Sequence, residues 1–150
     1  MKNKIQFKVC GQGDNTDAYH EIEELIIKLQ KIMRLQDWDI DLAFLSANEI
    51  SGHMGSDGYS AFCETWCDAK RAIIYVNIER EEVNKTIVGD VIHEMCHILS
   101  NAYERQVRIL CDIAGNKYAN KTLDVLLEQM VDGFAQSIEN ALSRKESQTP

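Results

Sequence analysis

Hydrophobic and polar residues recur along this chain with two different periods, which distinguish its predicted helices from its predicted strands. From Thr16 to about Leu35 the apolar residues are three and four apart, which predicts an amphipathic helix. From Trp38 to Leu45 apolar and polar residues alternate, which is typical of a half-buried strand. Residues 59–66 and 71–78, rich in aromatic and β-branched side chains, predict two further strands. A meander is the simplest topology for these strands.

The rest of the chain divides into a loop and a series of helices. Between Ser46 and Ser60 the sequence is rich in Gly, Ser, Asn and Asp, which predicts a mobile loop. Helical periodicity predicts helices near residues 84–100, 104–119 and 122–143, and a disordered polar tail from about residue 144. The order helix, strands, helices predicts an α+β fold with a small antiparallel or mixed sheet of three to four strands.

Composition and charge limit the domain organisation and the partners. A chain of 150 residues with 45% hydrophobic content, no internal repeat and a single proline at its end predicts one domain over residues 1–150. The net charge of −8 argues against nucleic acid or an anionic membrane as a partner, because both attract basic surfaces. No apolar run is long enough for a membrane span or a signal peptide, so we expect a cytoplasmic protein.

The cysteines favour a reduced protein. Their number is odd and their spacings are unrelated, which suits free thiols better than a disulfide framework. Cys63 and Cys67 form the one close pair, and on a strand they would lie roughly 13 Å apart, too far to chelate one ion. If that segment is a loop instead, they could chelate one ion, but we expect them to be packing residues or free thiols.

The segment from His93 to His97, His-Glu-Met-Cys-His, is the pattern with the clearest chemistry. On a helix, residues four apart project from the same face, so both imidazoles can bind one zinc ion. Glu94 lies about 100° further round the helix, beside the ion but not among its ligands. A general base is needed there, and Glu94 can take a proton from a water whose pKa the ion lowers to about 7.

The remaining residues of this helix favour a buried site. Most of its circumference is apolar, formed by Ile87, Val88, Val91, Ile92, Met95, Ile98 and Leu99. One polar stripe remains, formed by Asp90, His93, Glu94, His97 and Asn101. Burying such a stripe is costly unless its groups are paired or hold a metal ion. The alternative interpretation is a pair of solvated histidines on an exposed face, in an accidental motif.

A catalytic zinc ion needs a third protein ligand and an open fourth position. The chain has 4 histidines, at positions 20, 53, 93 and 97, so a downstream carboxylate is the natural candidate. Glu128 and Asp132 lie four apart on one flank of the predicted last helix. The alternative ligands are Asp124, Asp112 and Glu104. We expect His20 and His53 to be ordinary exposed residues, although His53 could reach the site from its loop.

These residues resemble the gluzincins, zinc metallopeptidases in which H-E-x-x-H is followed at variable distance by a helix bearing a ligand glutamate. The order of elements over about residues 16–140 is also similar to the minimal gluzincin core, a zincin-like fold, and to small phage-type metallopeptidases. The resemblance implies one zinc ion per chain, bound by His93, His97 and Glu128. It also implies Glu94 as the general base and Asp132 as the hydrogen-bond acceptor that orients His93.

The resemblance has one gap. Gluzincins usually supply a Tyr or His to stabilise the oxyanion, and here Tyr103 and Tyr118 are candidates that match no motif. The sequence thus predicts a zinc-dependent hydrolase, most simply a peptidase acting on a protein or peptide substrate. The alternative is a catalytically silent, zinc-stabilised regulatory or protein-interaction module on the same fold. Intact Glu94 argues against this alternative, because a structural zinc site has no use for a general base.

Overall fold

The structure, a computed structural model, describes residues 7–9, 16–54, 60–77, 83–115 and 117–146. Its helices and strands follow in the order β1 (Phe7–Val9), α1 (Thr16–Ile32), β2 (Asp39–Leu45), α2 (Ala47–Met54), β3 (Ala61–Trp66), β4 (Arg71–Asn77), α3 (Val83–Ile113) and α4 (Lys117–Glu146). A single 3-10 turn, Cys67–Ala69, joins β3 to β4. The fold is therefore mixed, with helices around a small mixed sheet, as the sequence predicts.

The sheet has the strand order β1-β2-β4-β3. Strands β1, β2 and β4 are parallel, and β3 lies antiparallel to β4 at the edge. The predicted meander is therefore wrong, because β2 pairs with β4. Burial explains this order: β2 and β4 are the most buried strands and lie in the centre, whereas β3 is half polar and suits an edge.

The main core lies between one face of the sheet and the helices α1 and α3. Each central strand contributes three buried side chains to it, Ile40, Leu42 and Phe44 from β2 and Ala72, Ile74 and Val76 from β4. This confirms the alternation predicted from Trp38 to Leu45. Helix α3 supplies Val91, Ile92 and Met95, all fully buried. Burial of a side chain such as Met95 contributes about 1.5–3 kcal/mol, so α3 is firmly fixed against the sheet.

The predicted loop between Ser46 and Ser60 is wrong over residues 47–54, which form α2. Ser46 begins this helix with a capping box: the Glu49 amide donates to the Ser46 hydroxyl at 3.3 Å, and the Glu49 carboxylate accepts the Ser46 amide at 2.8 Å. Ile50 then packs with Leu45 and Phe62 on the second face of the sheet. Residues 55–59 lie outside the described part of the chain.

The helical half has one break fewer than the sequence predicts. α3 is continuous from Val83 to Ile113, so the predicted break near residues 101–103 is wrong; that segment contains neither Gly nor Pro. The chain turns instead at Gly115, whose φ of +66° is readily adopted by glycine. α4 then extends to Glu146, past the predicted start of the disordered tail at about residue 144.

Candidate metal centre

The polar stripe of α3 lines a cleft between α3, α4 and the edge strand β3. The cleft has a volume of about 880 Å³, and all five predicted stripe residues, Asp90, His93, Glu94, His97 and Asn101, line it. Of the seven apolar residues predicted to surround the stripe, five are buried, whereas Val88 and Leu99 are exposed. Packing against the sheet on one side therefore directs the polar side of the helix into the cleft.

His93 and His97 point their Nε2 atoms at a common position. These two atoms are 3.0 Å apart, and the rings meet edge to face with centroids 4.8 Å apart. α4 brings a carboxylate to the same position: the Glu128 oxygens lie 3.6 Å from His93 Nε2 and 3.5 Å from His97 Nε2. Together these three side chains form a group that could hold a metal ion.

The three separations can be compared with what zinc requires. Tetrahedral zinc with ligand bonds of about 2.0–2.1 Å separates its ligand atoms by about 3.3–3.4 Å. The two Nε2 atoms, 3.0 Å apart, are slightly closer than this, and each has one Glu128 oxygen slightly beyond it, Oε2 at 3.6 Å from His93 and Oε1 at 3.5 Å from His97. Two neutral imidazoles and a carboxylate are also a donor set that suits zinc. The residues present therefore fit the ion in both spacing and chemistry.

Asp132 lies one helical turn beyond Glu128 and contacts His93 from the far side of its ring. Its Oδ1 atom is 3.1 Å from His93 Nδ1. An acceptor at that distance assigns the ring proton to Nδ1 and leaves the lone pair of Nε2 free to bind a metal ion. The structure thus brings Asp132 to the position from which it can orient His93.

Glu94 is the most enclosed acidic side chain of the cleft, with only 7% of its surface exposed. Burial raises the pKa of its carboxyl above the ordinary value, while the nearby His97 and a hydrogen bond with Cys63 oppose that rise. A raised pKa suits a general base, because proton transfer is most efficient when the pKa of the base approaches the working pH.

Other predicted candidates lie elsewhere. Asp124 binds Arg108 at 2.5 Å, and Glu104, which does line the cleft, binds the same guanidinium at 2.6 Å. Asp112 is exposed on α3. None of these three belongs to the metal-binding group found among the described residues, whereas Glu128 does. The ion pairs with Arg108 explain why Asp124 and Glu104 lie outside this group.

The structure does not bring Tyr103 to the cleft. Tyr103 is 65% exposed and lies six residues after His97, so it points about 240° round the helix from that histidine. The side chain of Tyr118 lies outside the described residues.

The remaining histidines have other surroundings. His20 is exposed beside Glu23, 3.5 Å away. His53 packs beside the rings of Phe62 and Tyr75, with centroids 6.1 and 5.4 Å away, and does not join the candidate metal ligands. This places His53 with the second hydrophobic cluster, to which Phe62 and Tyr75 belong.

The edge strand supplies contacts that the sequence did not reveal. Alternate residues of β3 face α3: Cys63 hydrogen bonds to Glu94, and Thr65 accepts a hydrogen bond from Asn101. Just beyond the strand, the Cys67 thiol donates to Asn101 Oδ1 at 2.8 Å. Strand alternation indicates which residues share a face, but only the tertiary structure shows that this face meets α3.

Comparison with known proteins adds nothing to this geometry, since no protein-family model, curated protein or solved structure matches the chain. Within its described part, the chain contains no helix with the length and hydropathy needed to cross a membrane.

Proposed function

We propose that this protein is a zinc-dependent metallohydrolase, most simply a peptidase of the gluzincin type. His93, His97 and Glu128 bind the ion in this proposal, and Glu94 is the general base. One observation carries it: His93, His97 and Glu128 converge from two helices beside a buried carboxylate and an open cleft, with the two Nε2 atoms 3.0 Å apart and a Glu128 oxygen within 3.6 Å of each.

When bound, zinc supplies Lewis acidity, which lowers the pKa of a water to about 7 and polarises a carbonyl group. The protein's own groups do the rest. Glu94 accepts the proton of the attacking water and returns it to the leaving amine. Asp132 keeps His93 in the tautomer and orientation that bind the ion.

The edge strand supports a peptide as the substrate. Within the described part of the chain, β3 pairs only with β4, and Ala61, Phe62 and Cys63 line the cleft. An extended peptide can add to such an edge through its main-chain hydrogen bonds, with alternate side chains turned towards the cleft. That arrangement would bring a peptide bond past Glu94 and the three ligands.

The decisive experiment replaces Glu94 by Gln, which keeps the size of the side chain and removes the base. We expect one zinc ion per chain in both proteins by elemental analysis, and a loss of about 10²–10⁴-fold in the hydrolysis of a peptide library. Glu21→Gln is the matched control, because Glu21 is exposed on α1 and the change of charge is the same. Equal turnover in Glu94→Gln, or no zinc under metal-replete conditions, contradicts the proposal.

A zinc-stabilised interaction module is the second candidate. The observation that favours it is the exposure of several large apolar side chains on the later part of α3 and the early part of α4, namely Tyr103, Leu110, Ile113, Val125 and Leu126. Exposed apolar side chains that adjoin one another often mark binding surfaces. Cleavage that a chelator abolishes and that Glu94→Gln also lacks would reject this candidate in favour of the peptidase.

A further inference from the structure

The contact between β3 and α3 contains polar pairs that lie side by side with the candidate site. Three hydrogen bonds connect them: one joins Cys63 and Glu94, in another Asn101 donates to Thr65, and in the third the Cys67 thiol donates to Asn101. Edge strand and site helix are therefore joined through side chains along the wall of the cleft, and the first of these pairs includes the proposed general base.

Glu94 needs such a partner because of its burial. A carboxylate with 7% of its surface exposed has given up most of its water, and burial without a hydrogen bond would be costly. The side chain could also turn away from the ligands if nothing held it. Cys63 lies on β3 and Glu94 on α3, and both side chains line the cleft, where they form a hydrogen bond.

The Cys63 thiol acts as the donor in this pair. Burial and the nearby carboxylates, Glu94 first among them, raise the pKa of Cys63 far above its ordinary value. The sulfur therefore keeps its proton at neutral pH. Cys63 does not belong to the metal-binding group found among the described residues.

We propose that Cys63 is a positioning residue, whose S–H group donates to the Glu94 carboxylate and holds it towards the cleft. This inference rests on the proposed role of Glu94 as general base. A thiol is a weak donor, so it orients the carboxylate without binding it as tightly as a cation would. The role predicts an effect on turnover and none on metal content.

The first test needs no substrate. The infrared S–H stretching band of Cys63 is identified as the band that Cys63→Ala removes, and it is then compared between the parent protein and Glu94→Gln. Donation to a carboxylate lowers the frequency of the band and broadens it, so replacement of Glu94 by a neutral amide should shift it upwards. An unshifted band overturns the proposal.

The second test is kinetic. We expect Cys63→Ala to lower kcat by about tenfold, the lower end for a hydrogen bond to a charged group, with KM within about twofold and one zinc ion still bound. Cys63→Ser keeps a donor and should recover most of the rate. Cys111→Ala is the control, since Cys111 is a half-buried cysteine of α3 that does not line the cleft. Unchanged kcat in Cys63→Ala contradicts the proposal.

The two tests separate the possible failures. If the S–H band shifts but the protein binds zinc and hydrolyses nothing, the proposed peptidase is rejected. The hydrogen bond from Cys63 to Glu94 would then have no catalytic purpose. An unshifted band in an active enzyme rejects the role of Cys63 alone. If Cys63→Ala does not fold, Cys63→Ser still tests the proposal. A Cys63→Ser variant that melts at the parental temperature but has lost its turnover would contradict the role of Cys63 as a donor.

Discussion

Replacing Glu128 by Gln tests whether a metal ion joins α3 to α4. A four-ligand structural zinc site binds its ion with about 10–16 kcal/mol at pH 7, or about 3–4 kcal/mol per ligand, which is a factor of about 10²–10³ in Kd. The Glu128 side chain is 58% exposed, and solvent screening favours the lower end of this range. We therefore expect Glu128→Gln to weaken zinc binding by about 100-fold.

The same loss should appear in the thermal stability. Zinc at 1,000 times the parental Kd stabilises the native state by about 4 kcal/mol, which corresponds to about 8–16 °C in Tm for a chain of this size. At the same zinc concentration a 100-fold weaker variant is only about tenfold above its own Kd. The stabilisation then falls to about 1.4 kcal/mol, or about 3–6 °C.

The assay is competition against a chromophoric chelator at fixed pH and ionic strength, with thermal melts in parallel. Asp132→Ala should weaken binding by about tenfold, because Asp132 acts through His93 and is 70% exposed. Glu21→Gln changes the net charge as Glu128→Gln does, but on α1 and outside the cleft. If Glu128→Gln binds zinc as tightly as the parent does, or is weakened no more than Glu21→Gln, the assignment of Glu128 as a ligand is refuted.

Two further predictions concern the backbone and the sheet. Gly133→Ala should stabilise the protein by about 0.4–1 kcal/mol in urea unfolding, since nothing lies within 4 Å of the added Cβ, whereas Gly115→Ala, at φ +66°, should destabilise it by about 1 kcal/mol. Equal signs would contradict this reasoning. Burial, then a hydrogen bond to Glu64, raises the pKa of Tyr75 to about 12. Because the folded pKa exceeds the unfolded value near 10, the contribution of Tyr75 to stability is complete below pH 10 and is lost as pH rises through about 12. In thermal melts across that pH range, Tyr75→Phe should therefore lose less stability than the parent protein.

The parts of the site that could be predicted from the sequence are those set by a single helix. His93, Glu94 and His97 share one face of α3 because of helical spacing alone, and the structure brings them to one cleft. Glu128 and Asp132 were also predicted as a pair on one flank of a helix. Whether that flank meets α3 is a question of packing between helices, which helical periodicity does not address.

The features that the sequence does not predict depend on contacts between distant segments or on a local signal that neighbouring residues mask. The order of the strands depends on which of them the helices bury, and that is decided by contacts between elements that are far apart in the sequence. Cys63 looked like a packing residue because its partner, Glu94, lies 31 positions away. α2 is different: the capping box of Ser46 and Glu49 was present in the sequence, but the glycines that follow concealed it.

The proposed ligands come from two helices, so a metal ion bound by them would have a structural consequence. α3 is fixed by the sheet, and it carries both histidines and Glu94. Among the described residues of α4, the side chains of Leu127, Val131 and Ala135 are buried, whereas Val125, Leu126 and Phe134 are exposed. An ion bound to both helices would add a link to this packing. Metal binding and the docking of α4 would then be coupled, because each favours the geometry that the other requires.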